Sequence, residues 1–439
     1  MTFFSDRDIF IGIAVLVFLS IFLLLTVIRG SQLYQKAALF KLITFILHCL
    51  FLIPNNGGDC ALFYDGGLES AASLRSFFLV GDISYFRETP FWEITGSNTD
   101  RMISLLGPIL VLTNDSFVGA SLVICAFGFM GQIFLHRGLR LGLAPCKKAE
   151  QFIDFGCLFL PSVVFWSAAM LKDPMGLFGL GLAVYGWKAF LYRRNLAKTI
   201  LYVTVGVYAC FLFRPQIAPC VLLAAMLAIC LGSAGMTSSK RGLLFFGTLG
   251  ICVVSLFIWT VIDATSDTSV SLLPAQIHEN AMWYTDTNWG HVGSATAAGT
   301  WGALTLGAPF AIVNVLFRPF PWDVINPVMA VAALENLYIV WTVIFITKRS
   351  KLLWRFGSGT ERMEFVFLAT AVLSISLLVG ASTLNLGSTS RYRIPALPML
   401  FGAAALVAAM EARLGFGVKS DVRRSGLEGL RKTSKAMSR

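Results

Sequence analysis

The sequence predicts an all-α, polytopic helical membrane protein, and three observations predict it. Of its 439 residues 56% are hydrophobic and only 13% charged, against about 25% charged in an ordinary soluble domain, too few to cover a water-facing surface. Runs of roughly 20 apolar residues recur from end to end, the length a helix needs to cross the hydrocarbon core. These runs are continuous, whereas a membrane β-barrel alternates in segments of about 10 residues. The net charge of +11 sits in short connections between the runs and in the tail. Membrane insertion requires that distribution, so the charge does not imply nucleic acid. The nine cysteines include no CxxC spacing, and neither a zinc site nor a disulfide framework is expected.

Taken in order, residues 9–28 form the first span, too long for a signal peptide and without a small-residue cleavage site. Arg29, Lys36 and Lys41 mark a cytoplasmic turn, and residues 39–53 cross outward to a polar interval at 54–101. Residues 102–112, interrupted by Gly107-Pro108, read as a re-entrant or interfacial helix. Residues 117–135 return to Arg137, Arg140, Lys147 and Lys148, residues 152–170 lead out to Lys172-Asp173, and residues 174–190 come back to Arg193 and Arg194. Two further spans flank Arg214-Pro215-Gln216 on the outside, and residues 243–262 cross outward to a second large interval, 263–327. Within it residues 301–316 are laid along the membrane, because a full span there would place the basic run at Lys348 outside. Residues 328–346, 365–379 and 394–409 complete about eleven spans. The chain divides into a membrane domain, 1–411, with outer intervals 54–101 and 263–327, and a basic cytoplasmic tail, 412–439, attracted to anionic lipid.

The first interval gathers the acidic chemistry. It is rich in Phe, Tyr, Trp and Leu, so it is expected to fold against the membrane surface as a loop. Asp59 and Asp65 are flanked by glycines close to the end of the second span, where partial desolvation tunes a carboxylate toward general-base work. Both are the catalytic candidates. The plain alternative is a solvated loop whose acids keep it soluble. His48, within the second span, is expected to be packed and hydrogen-bonded rather than a ligand.

The basic residues that topology does not explain are Lys172, Arg214, Arg318, Arg391 and Arg393, on the outer side at span ends. Phe213-Arg214-Pro215, Phe317-Arg318-Pro319 and Arg391-Tyr392-Arg393-Ile394-Pro395 share a proline after the charge, which breaks the helix there. Arginine at the hydrocarbon boundary is costly unless it snorkels or meets an anion, and its fork fits phosphate oxygens. With Tyr392, Trp322 and His278 these five are the substrate-binding candidates, Arg391 and Arg393 being expected to point to one side of an extended segment. The plain alternative is that each arginine caps a helix or pairs with an acid such as Asp173 or Asp323.

Three pieces resemble the GT-C superfamily of membrane glycosyltransferases: the acidic pattern Asp59, Tyr64, Asp65; the stretch 161–173 with its Lys172-Asp173 end; and the Arg391-Tyr392-Arg393-Ile394-Pro395 segment. The acidic motif of that superfamily follows the first span, whereas here it follows the second, so the equivalence of Asp59 or Asp65 stays open. The resemblance implies transfer of a sugar from a polyprenyl-phosphate or -diphosphate sugar lipid to an envelope glycan or lipid acceptor, at the outer face of a bacterial inner membrane. It implies no fixed cofactor, although some members use a divalent cation such as Mg or Mn, which Asp59 would hold. The alternatives are an O-antigen or exopolysaccharide polymerase acting on lipid-diphosphate-linked repeats, and a lipid-linked glycan transporter or flippase. The last favours charges midway inside spans, for which Glu335 is the main example and a helix N-terminal site its plainer explanation.

Overall fold

Hydrophobic runs this long have one way to satisfy their backbone in lipid, and the computed structural model is helical over most of the residues it describes: 5–26, 31–54, 57–81, 97–192, 195–232, 301–324, 327–383 and 386–415. In order these are α1 (Asp6–Thr26), α2 (Gln32–Leu52), α3 (Gly58–Val80), α4 (Asn98–Leu112), α5 (Phe117–Arg140) and α6 (Lys147–Asp154). A π turn (Phe155–Phe159) leads to α7 (Pro161–Trp166), α8 (Lys172–Leu191), α9 (Leu196–Phe213) and α10 (Ile217–Gly232). Then come α11 (Trp301–Phe317), a 3-10 turn (Pro321–Asp323), α12 (Pro327–Phe356), α13 (Gly359–Ser382) and α14 (Leu386–Tyr392). The last described helix is α15 (Ala396–Gly415). Seven segments among the described residues are long and apolar enough to cross a membrane, from Gln32–Leu52 to Ala396–Gly415, which makes this a multi-pass helical membrane protein. The expected span at 243–262, most of the second interval and residues 416–439 lie outside the described residues.

The alanine-rich α15 is apolar all round, and every residue from 393 to 410 is buried, so it forms the centre of the bundle. Around it α5, α8 and α9 approach closely through small residues. A Cβ on Gly131 would stand 2.6 Å from the Leu177 carbonyl oxygen, and one on Gly179 2.7 Å from the Cys210 nitrogen. Without side chains there, backbones meet and dispersion contacts hold helices that lipid would otherwise separate. This packing places the first turn of α8 beside the end of α9.

Two expectations are corrected and two are refined. The first interval is not a loop: α3 fills 23 residues of it, and Gly66, Gly67 and Ser70 lie against Ile103, Leu106, Leu110 and Gly107 of α4. Gly66, Gly67 and Ser70 on one face are a helical pattern, outweighed in the sequence by the charge density. The span expected at 152–170 is Lys147–Trp166, interrupted within its length. Leu160 is extended and Pro161 opens α7 at a position where a missing N–H costs nothing, and residues 167–171 run irregularly to α8. Lys41 does not lie in a turn; it is buried within α2, and its ammonium donates to the Val164 carbonyl (3.1 Å) and Ser167 Oγ (2.5 Å), satisfying the frayed end of α7. The segment expected to lie along the membrane is α11, which is not among the seven segments long enough to cross, and its second half packs on α13, with Val315 clustered against Ile375 and Val379.

Candidate active site

Four connections meet at one end of the bundle: α2 to α3, α7 to α8, α9 to α10, and α14 to α15. Gly57 and Gly58 take φ of +79° and +50°, backbone that glycine adopts without strain, and turn the chain so that Asp59 stands in the first turn of α3. Asp173 occupies the first turn of α8. Arg214 caps the end of α9, its N–H donating to the Cys210 carbonyl at 2.7 Å. Arg391, in α14, reaches between the two acids. Its Nε donates to Asp173 Oδ2 at 2.5 Å and its terminal nitrogen to Asp59 Oδ2 at 2.6 Å. Arg214 pairs with the other Asp173 oxygen and lies over the Tyr392 ring, 4.5 Å from its centroid. Lys172 donates to Asn98 Oδ1 (2.9 Å) and Thr99 Oγ1 (3.1 Å), so its charge meets only neutral oxygens there and the cluster holds one cation in excess.

Burial opposes the charge on Arg391, but Asp173, Tyr392 and Asp59 outweigh it and hold its pKa above the ordinary guanidinium value. At Lys172 burial wins: it pushes the ammonium down, Arg214 and Arg391 push further, and the pKa falls to about 8 although Asp173 and Asp59 pull the other way. Next to the cluster a cavity of about 390 Å³ is lined by Phe51, Phe165, Trp166, Met329, Glu335 and Ser390, among others. It joins α2, α7, α12 and α14 in an apolar groove that reaches Ser390, the residue before Arg391. His48 packs beside it, 4.7 Å from the Phe165 ring, and neither ring nitrogen has a hydrogen-bond partner, contrary to expectation.

Of the described residues that the sequence singled out, Asp59, Lys172, Arg214, Arg391 and Tyr392 come together, and the others do not. Asp65 lies six residues along α3, about 9 Å further and on another side of the helix, next to Tyr64, whose hydroxyl donates to the Asp115 carbonyl. Arg318 forms a fork with Asp323 at 2.9 and 2.8 Å, the plain alternative, and that hydrogen bond holds the Asp323 carboxyl below its ordinary range. Trp322 is 79% exposed and stacks on Phe320. Arg393 is fully buried and donates to the carbonyls of Val315, Leu316 and Arg318 while facing Glu335 at 3.5 Å. It therefore does not share a side with Arg391: Arg391 belongs to α14, and Arg393 lies in the turn that follows it rather than in an extended segment. Glu335 is not at a helix N-terminus; it lies within α12, where Ser162 donates to it from N (2.8 Å) and Oγ (2.5 Å). His278 lies outside the described residues. Asp173 is the centre that the sequence candidates left out: it was weighed as an arginine's partner and as the end of the 161–173 resemblance, and its signal was the acid directly after Lys172.

A divalent cation does not fit this donor set. The carboxylates of Asp59 and Asp173 both face the Arg391 guanidinium, which already supplies the charge a metal would bring. Among the described residues no three His, Cys, Asp or Glu side chains gather as a metal site. Compared with known proteins, the chain matches no family model, no curated protein and no solved structure.

Proposed function

We propose that this chain is an integral-membrane glycosyltransferase that moves a sugar from a polyprenyl-phosphate-linked donor to an envelope glycan or lipid acceptor at the outer face of the inner membrane. The observation that carries the reading is convergence. Arg391 meets Asp59 across 332 positions and Asp173 across 218, and these three come from the three segments that resemble GT-C enzymes. The same place offers what such a donor needs: guanidinium and ammonium groups for its phosphate, an apolar groove for its tail, and an exposed carboxylate for the acceptor. In the reaction Asp59 takes the proton of the acceptor hydroxyl, whose oxygen bonds to the anomeric carbon. The bond from that carbon to the phosphate oxygen breaks, and the electron pair leaves on the lipid phosphate, countered by Arg391 and Lys172. The outer location is supported by the opposite end of the bundle, where Arg140, Lys148, Arg349 and Arg413 lie among their acidic partners in a basic rim of the kind kept cytoplasmic.

The test is sugar transfer by the purified chain in nanodiscs, with labelled polyprenyl-phosphate sugars as donors, beside the glycans of a deletion strain. Transfer by wild type, and loss of one sugar in the strain, is the expected result. Accumulated single lipid-linked repeats would identify a polymerase instead, and unchanged glycans with altered lipid export a flippase. Cysteines at Ser97 and Ser294, in a background without reactive thiols, should label with an impermeant maleimide in intact spheroplasts; labelling only after lysis removes the outer location.

A further inference from the structure

We propose that Arg391 is an exchange switch: the phosphate of an incoming lipid takes Arg391 away from Asp59, so Asp59 becomes a free base only when the donor is in place. This rests on the reading of the cluster as a lipid-phosphate site. The two carboxylates on Arg391 are unequal. The Asp173 side chain is 6% exposed, holds Nε, and is locked from behind by Arg214. The Asp59 side chain is 55% exposed and holds only the outer nitrogen. Pulling Arg391 from Asp173 would leave a buried carboxylate oxygen unpaired, whereas pulling it from Asp59 returns that carboxylate to water. An arriving anion therefore displaces Asp59 and leaves Asp173 where it is.

The chemistry of the two states differs. With Arg391 on it, Asp59 has an oxygen committed to an N–H donor and its charge neutralised, which makes it a poor acceptor for a hydroxyl proton. A lipid phosphate, whose two non-bridging oxygens meet a guanidinium fork, competes well for the same nitrogens. After the exchange, Asp59 stands at the mouth of the site with an unpaired carboxylate. It then takes the acceptor proton while the acceptor oxygen bonds to the anomeric carbon, and the departing phosphate keeps the electron pair against Arg391. Asp173 is a positioning residue in this scheme: it keeps Arg391 aimed outward through both states.

An exchange has a signature that a simple catalytic base lacks. Asp59 competes with phosphate, so removing its charge strengthens binding while it ends turnover. The experiment measures farnesyl phosphate, with farnesol as the control for the groove, binding to the full chain in nanodiscs. Asp59→Asn is expected to bind farnesyl phosphate roughly two- to fivefold tighter than wild type, and Asp59→Ala must repeat the gain. Arg391→Ala should lose the preference for farnesyl phosphate over farnesol. Unchanged or weaker binding in both Asp59 variants overturns the exchange, as does a wild type that binds the alcohol as well as the phosphate. These arms use no sugar, so the proposals fail separately. Tighter binding in the variants with no sugar transfer by wild type would keep the exchange and sink the transferase.

Discussion

α8 carries an ionic network at each end, and the two are built from the same parts to opposite effect. At its start Asp173 joins Arg214, Arg391 and, through Arg391, Asp59. About 22 Å further along the helix, Lys188 pairs with Glu364 of α13, and the Tyr192 hydroxyl donates to the same carboxylate at 3.1 Å. Lys188 and Glu364 are 1% and 2% exposed, while Asp59 is 55% exposed. A network sealed on every side has no partner to give up and works as a lock between helices. A network open on one side has one partner that water, or a ligand, can replace. The difference between fastening and function here lies in exposure rather than in residue type.

The largest effect separating the two should come from the sealed end. Glu364→Gln leaves Lys188 buried without a counter-charge, at a cost of about 3–5 kcal/mol. The expected outcome is a much lower melting temperature and yield, with sugar transfer per folded molecule unchanged. Lys188→Met with Glu364→Leu should regain most of the loss, because the pair itself contributes little beyond its own desolvation. Asp59→Asn should do the reverse: transfer per molecule falls about a hundredfold or more, equivalent to about 2.7 kcal/mol, and the melting temperature stays near wild type. If both substitutions lowered stability and turnover alike, the contrast between the two ends would be lost.

How much of this was legible in the sequence follows from what each signal depends on. The helical membrane class was legible, because continuous apolar length is a local property. The helical nature of residues 58–80 was obscured: nine charges between Asp59 and Asp100 read as a loop folded against the membrane surface, although Gly66, Gly67 and Ser70 mark a helix contact. The proline-flanked arginines were visible, but their fates were not. Arg318 finds Asp323 five positions away, whereas Arg391 finds Asp59 332 positions away, and only the fold decides between a near and a distant partner. Asp173 was hidden for the same reason, since its two arginines arrive from α9 and α14.

The two late arginines sharpen the comparison at a smaller scale. Arg391 keeps the open network and Arg393 a sealed one, with three carbonyls and Glu335 around it. Arg391→Lys retains a charge but loses the fork, so turnover per molecule should fall about tenfold, or about 1.4 kcal/mol. Arg393→Lys should instead lower yield and melting temperature and spare turnover, because lysine cannot reach three carbonyls and a carboxylate at once. Equal loss of turnover in both would restore Arg393 to the phosphate site.

The smallest expected effect tests the excess cation. Lys172 titrates at about 8 because burial, then Arg214 and Arg391, disfavour its charge. Only the protonated amine attracts an anion, so its contribution to binding is present below that pH and is lost as pH rises through it. A bound phosphate itself favours the proton and moves the midpoint upward in the complex. The phosphate of farnesyl phosphate completes its second ionisation near pH 6, so across pH 7 to 9 the ligand charge is constant and Arg391 stays charged. Affinity for farnesyl phosphate should therefore weaken about threefold over that window, on the order of 0.7 kcal/mol, while affinity for farnesol stays flat. Lys172→Arg, charged throughout, should flatten the phosphate curve without moving its value at pH 7 by more than about twofold. A wild-type curve that is already flat would show that Lys172 holds Asn98 and Thr99 in place and takes no part in reading the phosphate.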